Sequence, residues 1–233
     1  MLDQHGEVLA EVPDDGSSDR PEALRGEIRR ILLESLPAGT VRWGKKLVGA
    51  TALGAGGHHL RFADSSTVNA DILLGADGTW SKVLSLLSEE MPTYSGMSYV
   101  ETFLNDVDDR HPATAKAFGN GAIYALVPGK GFLAHREVGN AIHTYVVLHR
   151  TVEWFNEIDF IDATATKAQI VAEFDGWAPE LTALITDGDS APVLRSIYEL
   201  PDRNHWARVP GVTLVGDAAH MTVPGRGGKH RFA

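Results

Sequence analysis

The 233-residue chain is 43% hydrophobic and 22% charged, an ordinary balance for a globular protein long enough to bury a sizeable core. Its formal net charge of −10 disfavours nucleic acid or an anionic membrane as a partner, since either needs a cationic surface. The absence of cysteine excludes disulfides, thiolate metal sites and cysteine nucleophiles.

No apolar run approaches a membrane span, and the start Met1-Leu2-Asp3-Gln4-His5 lacks the basic and apolar regions of a secretory signal. A cytoplasmic protein with a small-molecule substrate, no nucleic acid and no membrane is therefore expected.

In chain order, Gly6–Val12 reads as a short edge strand and 13–18 as a turn-rich loop. From Pro21 to Leu36, Leu24, Ile28, Ile31, Leu32 and Leu36 recur at spacings of three and four, which predicts an amphipathic helix with Asp19 as its N-cap. Two β runs, Thr40–Leu47 and His58–Phe62, flank a glycine-rich stretch, Gly49–Gly57. A third run, Val68–Ala76, has the continuously apolar centre Ile72-Leu73-Leu74 of a strand buried on both faces. After Asp77-Gly78, the residues Trp80, Val83, Leu84 and Leu87 share one helical face.

The stretch from Pro92 to Arg150 alternates between polar and apolar residues and is punctuated by glycine and asparagine turns, so it predicts an antiparallel sheet. Two helices follow, Ala165–Phe174 and Pro179–Ile185, with Ile170, Phe174 and Trp177 facing inward. Val212–Val215 is a last buried strand. The fold class is α/β, with an α+β layer in the middle.

Chemistry concentrates where two strands end. The segment Asp71-Ile72-Leu73-Leu74-Gly75-Ala76-Asp77-Gly78 runs from a strand into Thr79-Trp80-Ser81-Lys82-Val83. In open α/β sheets, ligands bind at the carboxyl ends of strands, where small residues admit them to the backbone. The plainer alternative is a turn in which Asp77 caps the next helix. The second segment is Val212-Thr213-Leu214-Val215-Gly216-Asp217-Ala218-Ala219-His220, followed by Pro224. Asp217 at a strand end can accept hydrogen bonds from sugar or ribityl hydroxyls. An Asp217–His220 metal pair lacks a third ligand at recognisable spacing, so no metal site is expected. A hydrolase is rejected because there is no Gly-x-Ser-x-Gly elbow.

Together the two segments resemble the class A flavoprotein monooxygenases, the aromatic-hydroxylase type. The flanks Arg25–Leu36, Thr40-Val41-Arg42-Trp43 and Phe174-Asp175-Gly176-Trp177 resemble the tetracycline-inactivating branch. The resemblance implies a flavoprotein monooxygenase fold of FAD/NAD(P)-binding type with an antiparallel substrate-binding sheet. FAD and NAD(P)H are its implied cofactors, and hydroxylation of a small aromatic or polycyclic substrate is the implied reaction. It implies cofactor-binding roles for Arg25, Arg29, Asp77, Gly78, Gly216, Asp217 and Pro224, and substrate-pocket roles for Phe103, Phe132, His135 and Tyr145. No catalytic residue is assigned. The implied domains are 19–90 with 206–233 for FAD and 91–205 for the substrate sheet, with 1–18 on the substrate side.

Departures from the family shape a further expectation. Family members open with a strand, a G-x-G-x-x-G turn and a helix. Here only residues 1–24 precede Arg25, and Gly54-Ala55-Gly56 carries His59 where the last glycine belongs. Leu84 stands where the family usually has arginine. After Gly225, Arg226–Ala233 replaces the family's flavin-facing helix start, as a one-nucleotide frameshift would produce. The expectation is an FAD-dependent enzyme truncated at both ends, either simply cut short or completed by another chain carrying the glycine-rich segment. The alternative is a non-catalytic remnant that at most binds an apolar small molecule.

Overall fold

The structure, a computed structural model, describes residues 1–13, 23–202 and 204–224. The chain divides into two compact units. One comprises Met1–Glu11, Thr93–Glu199 and the chain from Val223; the other comprises Val12–Pro92 and Leu200–Thr222.

The second unit begins with α1 (Arg25–Glu34), which starts without a side-chain cap and buries none of its residues. Its apolar face is present but uncovered, with Leu24, Ile28, Ile31 and Leu32 all exposed. The expected cap Asp19 lies outside the described residues. Thr40–Trp43 forms turns and coil rather than a strand. Strand β1 is instead Leu47–Gly54, so the supposed glycine-rich loop is largely a strand, paired antiparallel with β2 (Gly57–Phe62). The glycines serve the connection, where Gly54 and Gly56 have φ of 84° and 86°.

The run expected as one buried strand is broken in two. β3 (Thr67–Ala70) pairs antiparallel with β2, and β4 (Leu73–Gly75) pairs in parallel with β10 (Val212–Leu214). β4 buries Leu73 and Gly75 but leaves Leu74 55% exposed, and Ile72 just before it is 80% exposed, so the strand is covered on one face only among the described residues. The helix expected after Gly78 is a turn followed by a single 3-10 turn at Leu84–Leu86, although Val83 and Leu84 are buried as their spacing suggested. The unit ends with the short α7 (Asp217–His220).

The first unit is built on a five-stranded antiparallel sheet, as the alternation predicted. Its strands are β5 (Thr93–Leu104), β6 (Ala122–Val127), β7 (Lys130–Glu137), β8 (Ala141–His149) and β9 (Val193–Glu199), in the order β6-β7-β8-β5-β9. The N-terminal edge strand reduces to isolated bridges of Leu2 to Val8 and Ala125. Pro128-Gly129 closes the β6–β7 hairpin, with Gly129 at φ 87° where Pro-Gly turns need it. Helices α2 (Val107–Arg110) and α3 (Pro112–Phe118) follow β5. Between β8 and β9 lie α4 (Val152–Asn156), α5 (Ala163–Ala172) and α6 (Pro179–Thr186). Asp162 caps α5 by accepting from Thr164 and Ala165 N–H, and Pro179 opens α6.

Period-two alternation splits the sheet into two faces. One carries Val100, Leu104, Ile123, Ala125, Phe132, Ile142, Val146 and Leu148, and packs with Ile170, Phe174, Trp177, Leu181 and Leu184 into the core. The other, less apolar face holds the groups described next.

Candidate functional site

In the second unit, the two sequence motifs come together through strand pairing. β4 and β10 run in parallel register, Leu73↔Val212, Leu74↔Thr213 and Gly75↔Leu214, so both deliver their motifs at the same carboxyl edge. The Val215 N–H donates to the Gly75 carbonyl at 2.9 Å, and the Thr79 hydroxyl lies 2.9 Å from Met221 Sδ, which ties the segments together beyond the strands. Gly75 is required here, because an added Cβ would lie 2.6 Å from Leu214 Cδ2 and 2.8 Å from Val83 Cβ.

Asp77 spends its carboxylate locally. Oδ1 accepts from the Ser81 hydroxyl at 2.6 Å and Oδ2 from the Lys82 N–H at 2.7 Å, so Asp77 closes a turn, as the plainer alternative had it, but no helix follows there for it to cap. Gly78 holds φ 76° and Gly216 φ 60° with ψ −145°, conformations that exclude most side chains. Nothing lies within 4 Å of an added Cβ at either, so both backbones face open space. Asp217 begins α7 and is exposed, and its carboxylate has no hydrogen bond or ion pair among the described residues. The open space beside these two glycines and the uncommitted carboxylate form a cradle that could admit a hydroxylated cofactor such as FAD to the backbone.

The arginines are not brought into this cradle. Arg25 and Arg29 are exposed on α1, and Arg29 sits over the Trp43 ring at 5.2 Å. Pro224 is exposed, and its neighbour Val223 packs against Met97, Tyr99 and Val147 of the first unit's sheet.

In the first unit, three of the four pocket residues expected from sequence share the less apolar face of the sheet. Phe103 stacks on His143 at 4.2 Å with an 11° interplanar angle, and Tyr145 and His135 contact the same imidazole at 4.5 and 5.1 Å. Phe132 belongs elsewhere. It alternates onto the helix-covered face and is wholly buried against Phe174 and Trp177, so it is core rather than pocket.

The polar centre of this face was not expected. His143 Nε2 lies 2.8 Å from Glu101 Oε1, and Nδ1 lies 3.0 Å from Glu137 Oε1. His135 Nε2 reaches the same Glu137 oxygen at 3.1 Å, and Arg195 donates to Glu101 Oε2 at 2.9 Å. Glu101 and His143 are 9% and 7% exposed. Burial, aided by the negative charge of Glu101 and Glu137, pushes the Tyr145 phenol above its ordinary range, and burial does the same for Tyr99. A buried paired-charge network ringed by Tyr99, Phe103 and Tyr145 can hold a planar ligand by its faces and bond its polar edge.

The comparisons accord with this architecture. No family model matches the chain. Monooxygenase asqM of Emericella nidulans is 26% identical over 276 residues, covering 97% of this chain and 62% of the relative. The chain is thus similar over nearly its whole length to curated monooxygenases, among them a 6-hydroxynicotinate 3-monooxygenase of Pseudomonas fluorescens at 27% identity.

Among solved structures, Klebsiella pneumoniae HpxO, complexed with FAD and uric acid, superposes with a TM-score of 0.69. It shares 22% identity and covers 86% of this chain and 49% of its own. The tetracycline destructase Tet(51) superposes with a TM-score of 0.57 at 18% identity, covering 96% and 56%. The chain thus spans about half to three-fifths of the length of the proteins it matches.

Proposed function

We propose that this chain forms the substrate sheet and part of the flavin cradle of an FAD- and NAD(P)H-dependent monooxygenase that hydroxylates a small aromatic or polycyclic compound. The observation that carries the reading is the parallel β4–β10 pair, which brings Asp77-Gly78 and Gly216-Asp217 to one carboxyl edge. When bound, FAD supplies the redox chemistry, accepting reducing equivalents and activating oxygen. The chain's own residues do the rest. Gly78 and Gly216 allow close approach to the backbone, and Asp217 accepts hydrogen bonds from the cofactor's hydroxyls. The aromatic face of Tyr99, Phe103 and Tyr145 holds the substrate and limits water. The resemblance also assigns Arg25, Arg29 and Pro224 to the cofactor, although the arginines lie outside the cradle here.

A two-stranded sheet is marginal alone, and Ile72 and Leu74 lie bare at β4. The flavin-binding unit therefore needs further strands to cover them, from the same protein or a complementing chain. Among the described residues, no helix is long and apolar enough to cross a membrane.

Titrating FAD into the purified chain tests the reading. FAD at a hundredfold excess over its Kd should stabilise the protein by about 2.7 kcal/mol. Asp217→Ala should abolish that gain while leaving the apo melting temperature unchanged, because the side chain is exposed. No shift with FAD, together with a shift on adding apolar aromatics, would favour the remnant reading that the bare β4 face supports.

A further inference from the structure

We infer that His135, Glu137 and His143 form a site for a divalent transition-metal cation on the less apolar face of the sheet. Their ligand atoms all lie within 4.8 Å of one another. Two of the three separations are 3.0 and 3.1 Å, both measured to the single oxygen Glu137 Oε1. Tetrahedral zinc with ligand bonds of about 2.0–2.1 Å separates its ligand atoms by about 3.3 Å, so small side-chain motions seat the ion.

The framework is rigid. β7 puts His135 and Glu137 two residues apart on one face, and β8 sets His143 directly opposite His135 in the register. Gly139 and Asn140, at φ 95° and 62°, close the hairpin between them.

Three features favour a cation over a mere ion pair. Two imidazole nitrogens converge on one carboxylate oxygen, an arrangement that otherwise needs both rings to donate to the same atom. The other nitrogen of His143 is 2.8 Å from Glu101, the carboxylate–histidine pairing that orients and polarises metal-bound imidazoles. Arg195 fixes Glu101 in turn. Two carboxyl groups, Glu101 and Glu137, meet only one guanidinium, Arg195, in this cluster. Tyr145 and Phe103 flank the site, their rings 4.5 and 4.2 Å from the His143 imidazole. Two imidazoles and one carboxylate suit zinc, iron(II) or manganese, and leave a coordination position for water or a ligand oxyanion.

The site does not rest on the flavin reading, and zinc binding is measurable without flavin. Isothermal titration of zinc chloride into tag-free, chelator-treated protein should give saturable one-to-one binding. His135→Ala and Glu137→Gln should each weaken it at least tenfold. Glu101→Gln, which keeps all three ligands, should weaken it by about 10- to 100-fold. Cobalt(II) should give the visible absorption of a low-coordinate site, lost in His135→Ala. That variant changes a half-exposed residue, so circular dichroism should match the unsubstituted protein. Absence of saturable binding would overturn the proposal, as would binding unchanged in His135→Ala and Glu137→Gln, which would put zinc on other histidines.

Discussion

Replacing Gly75 with alanine tests whether the β4–β10 junction is as tight as its geometry implies. The new Cβ would meet Leu214 Cδ2 at 2.6 Å, Val83 Cβ at 2.8 Å and Val83 Cγ1 at 3.0 Å, against about 3.5–4.0 Å for ordinary carbon contacts. Leu214 can turn its terminal methyl away. Val83 cannot, since its Cβ is fixed to a backbone whose N–H bonds the Ser81 hydroxyl at 3.1 Å, and its side chain is 2% exposed. The strand cannot retreat either without breaking the Val215-to-Gly75 bond. Overpacking of this kind costs about 1–3 kcal/mol, offset by about 0.4–1 kcal/mol from the stiffer unfolded chain. A net loss of about 1–2 kcal/mol corresponds to about 2–8 °C in Tm for a chain of this size. Differential scanning calorimetry would measure it, with Gly121→Ala as control, because nothing lies within 4 Å of a Cβ there. Equal melting of the two variants would refute the tight-junction argument and loosen the case that both motifs are held at one edge.

Two further outcomes probe the first unit. The Thr102 hydroxyl, fully buried, donates at 2.8 Å to the Leu184 carbonyl in the last turn of α6. Thr102→Val should cost about 1–3 kcal/mol in urea unfolding, whereas Thr102→Ser, which keeps the donor, should cost clearly less. Burial alone would raise the Asp189 carboxyl. The Asn105 N–H, His111 and Arg110 outweigh it and hold the group below the usual carboxylate range. A depressed carboxyl stabilises the fold above its unfolded pKa, and that stability is lost as pH falls through the folded value. Stability should therefore decline in the acid range, and Asp189→Asn should flatten the decline; an unchanged acid limb would count against the cluster.

Much of the first unit was legible because alternation is a local signal. Gly131–His135 and Ala141–Leu148 state their period of two outright, and Ile170, Phe174 and Trp177, expected on one face, are all buried. The second unit misled for a physical reason. Ile72-Leu73-Leu74 reads as a strand buried on both sides, yet only one side is covered among the described residues, so composition records an environment these residues do not complete. α1 shows the same thing, an apolar stripe with no partner. Site residues divide similarly. That the Asp77 and Asp217 segments each follow a short strand was readable from their motifs. Glu101, Glu137, His143 and Arg195 were not, because their meeting depends on the pairing of four strands, β7-β8-β5-β9. The i, i+2 pair His135 and Glu137 was the one local clue.

That polar face is informative in itself. A sheet with one face under helices normally offers its other face to water, where charges cost little and pair weakly. Here Glu101 and His143 are nearly as buried as the core, and they are packed among Tyr99, Phe103 and Tyr145. Burying a carboxylate beside an imidazole is not an economical way to hold strands together, since apolar residues of similar size usually serve as well or better. The alternation that built the sheet would have accepted valine at both positions. What valine cannot do is present fixed donors, acceptors and ligand atoms on a rigid, aromatic-walled surface. The network is thus better explained by what it binds than by what it stabilises. Glu101→Gln separates the two explanations: it should weaken ligand or zinc binding far more than it lowers Tm, whereas a purely structural network would show the reverse.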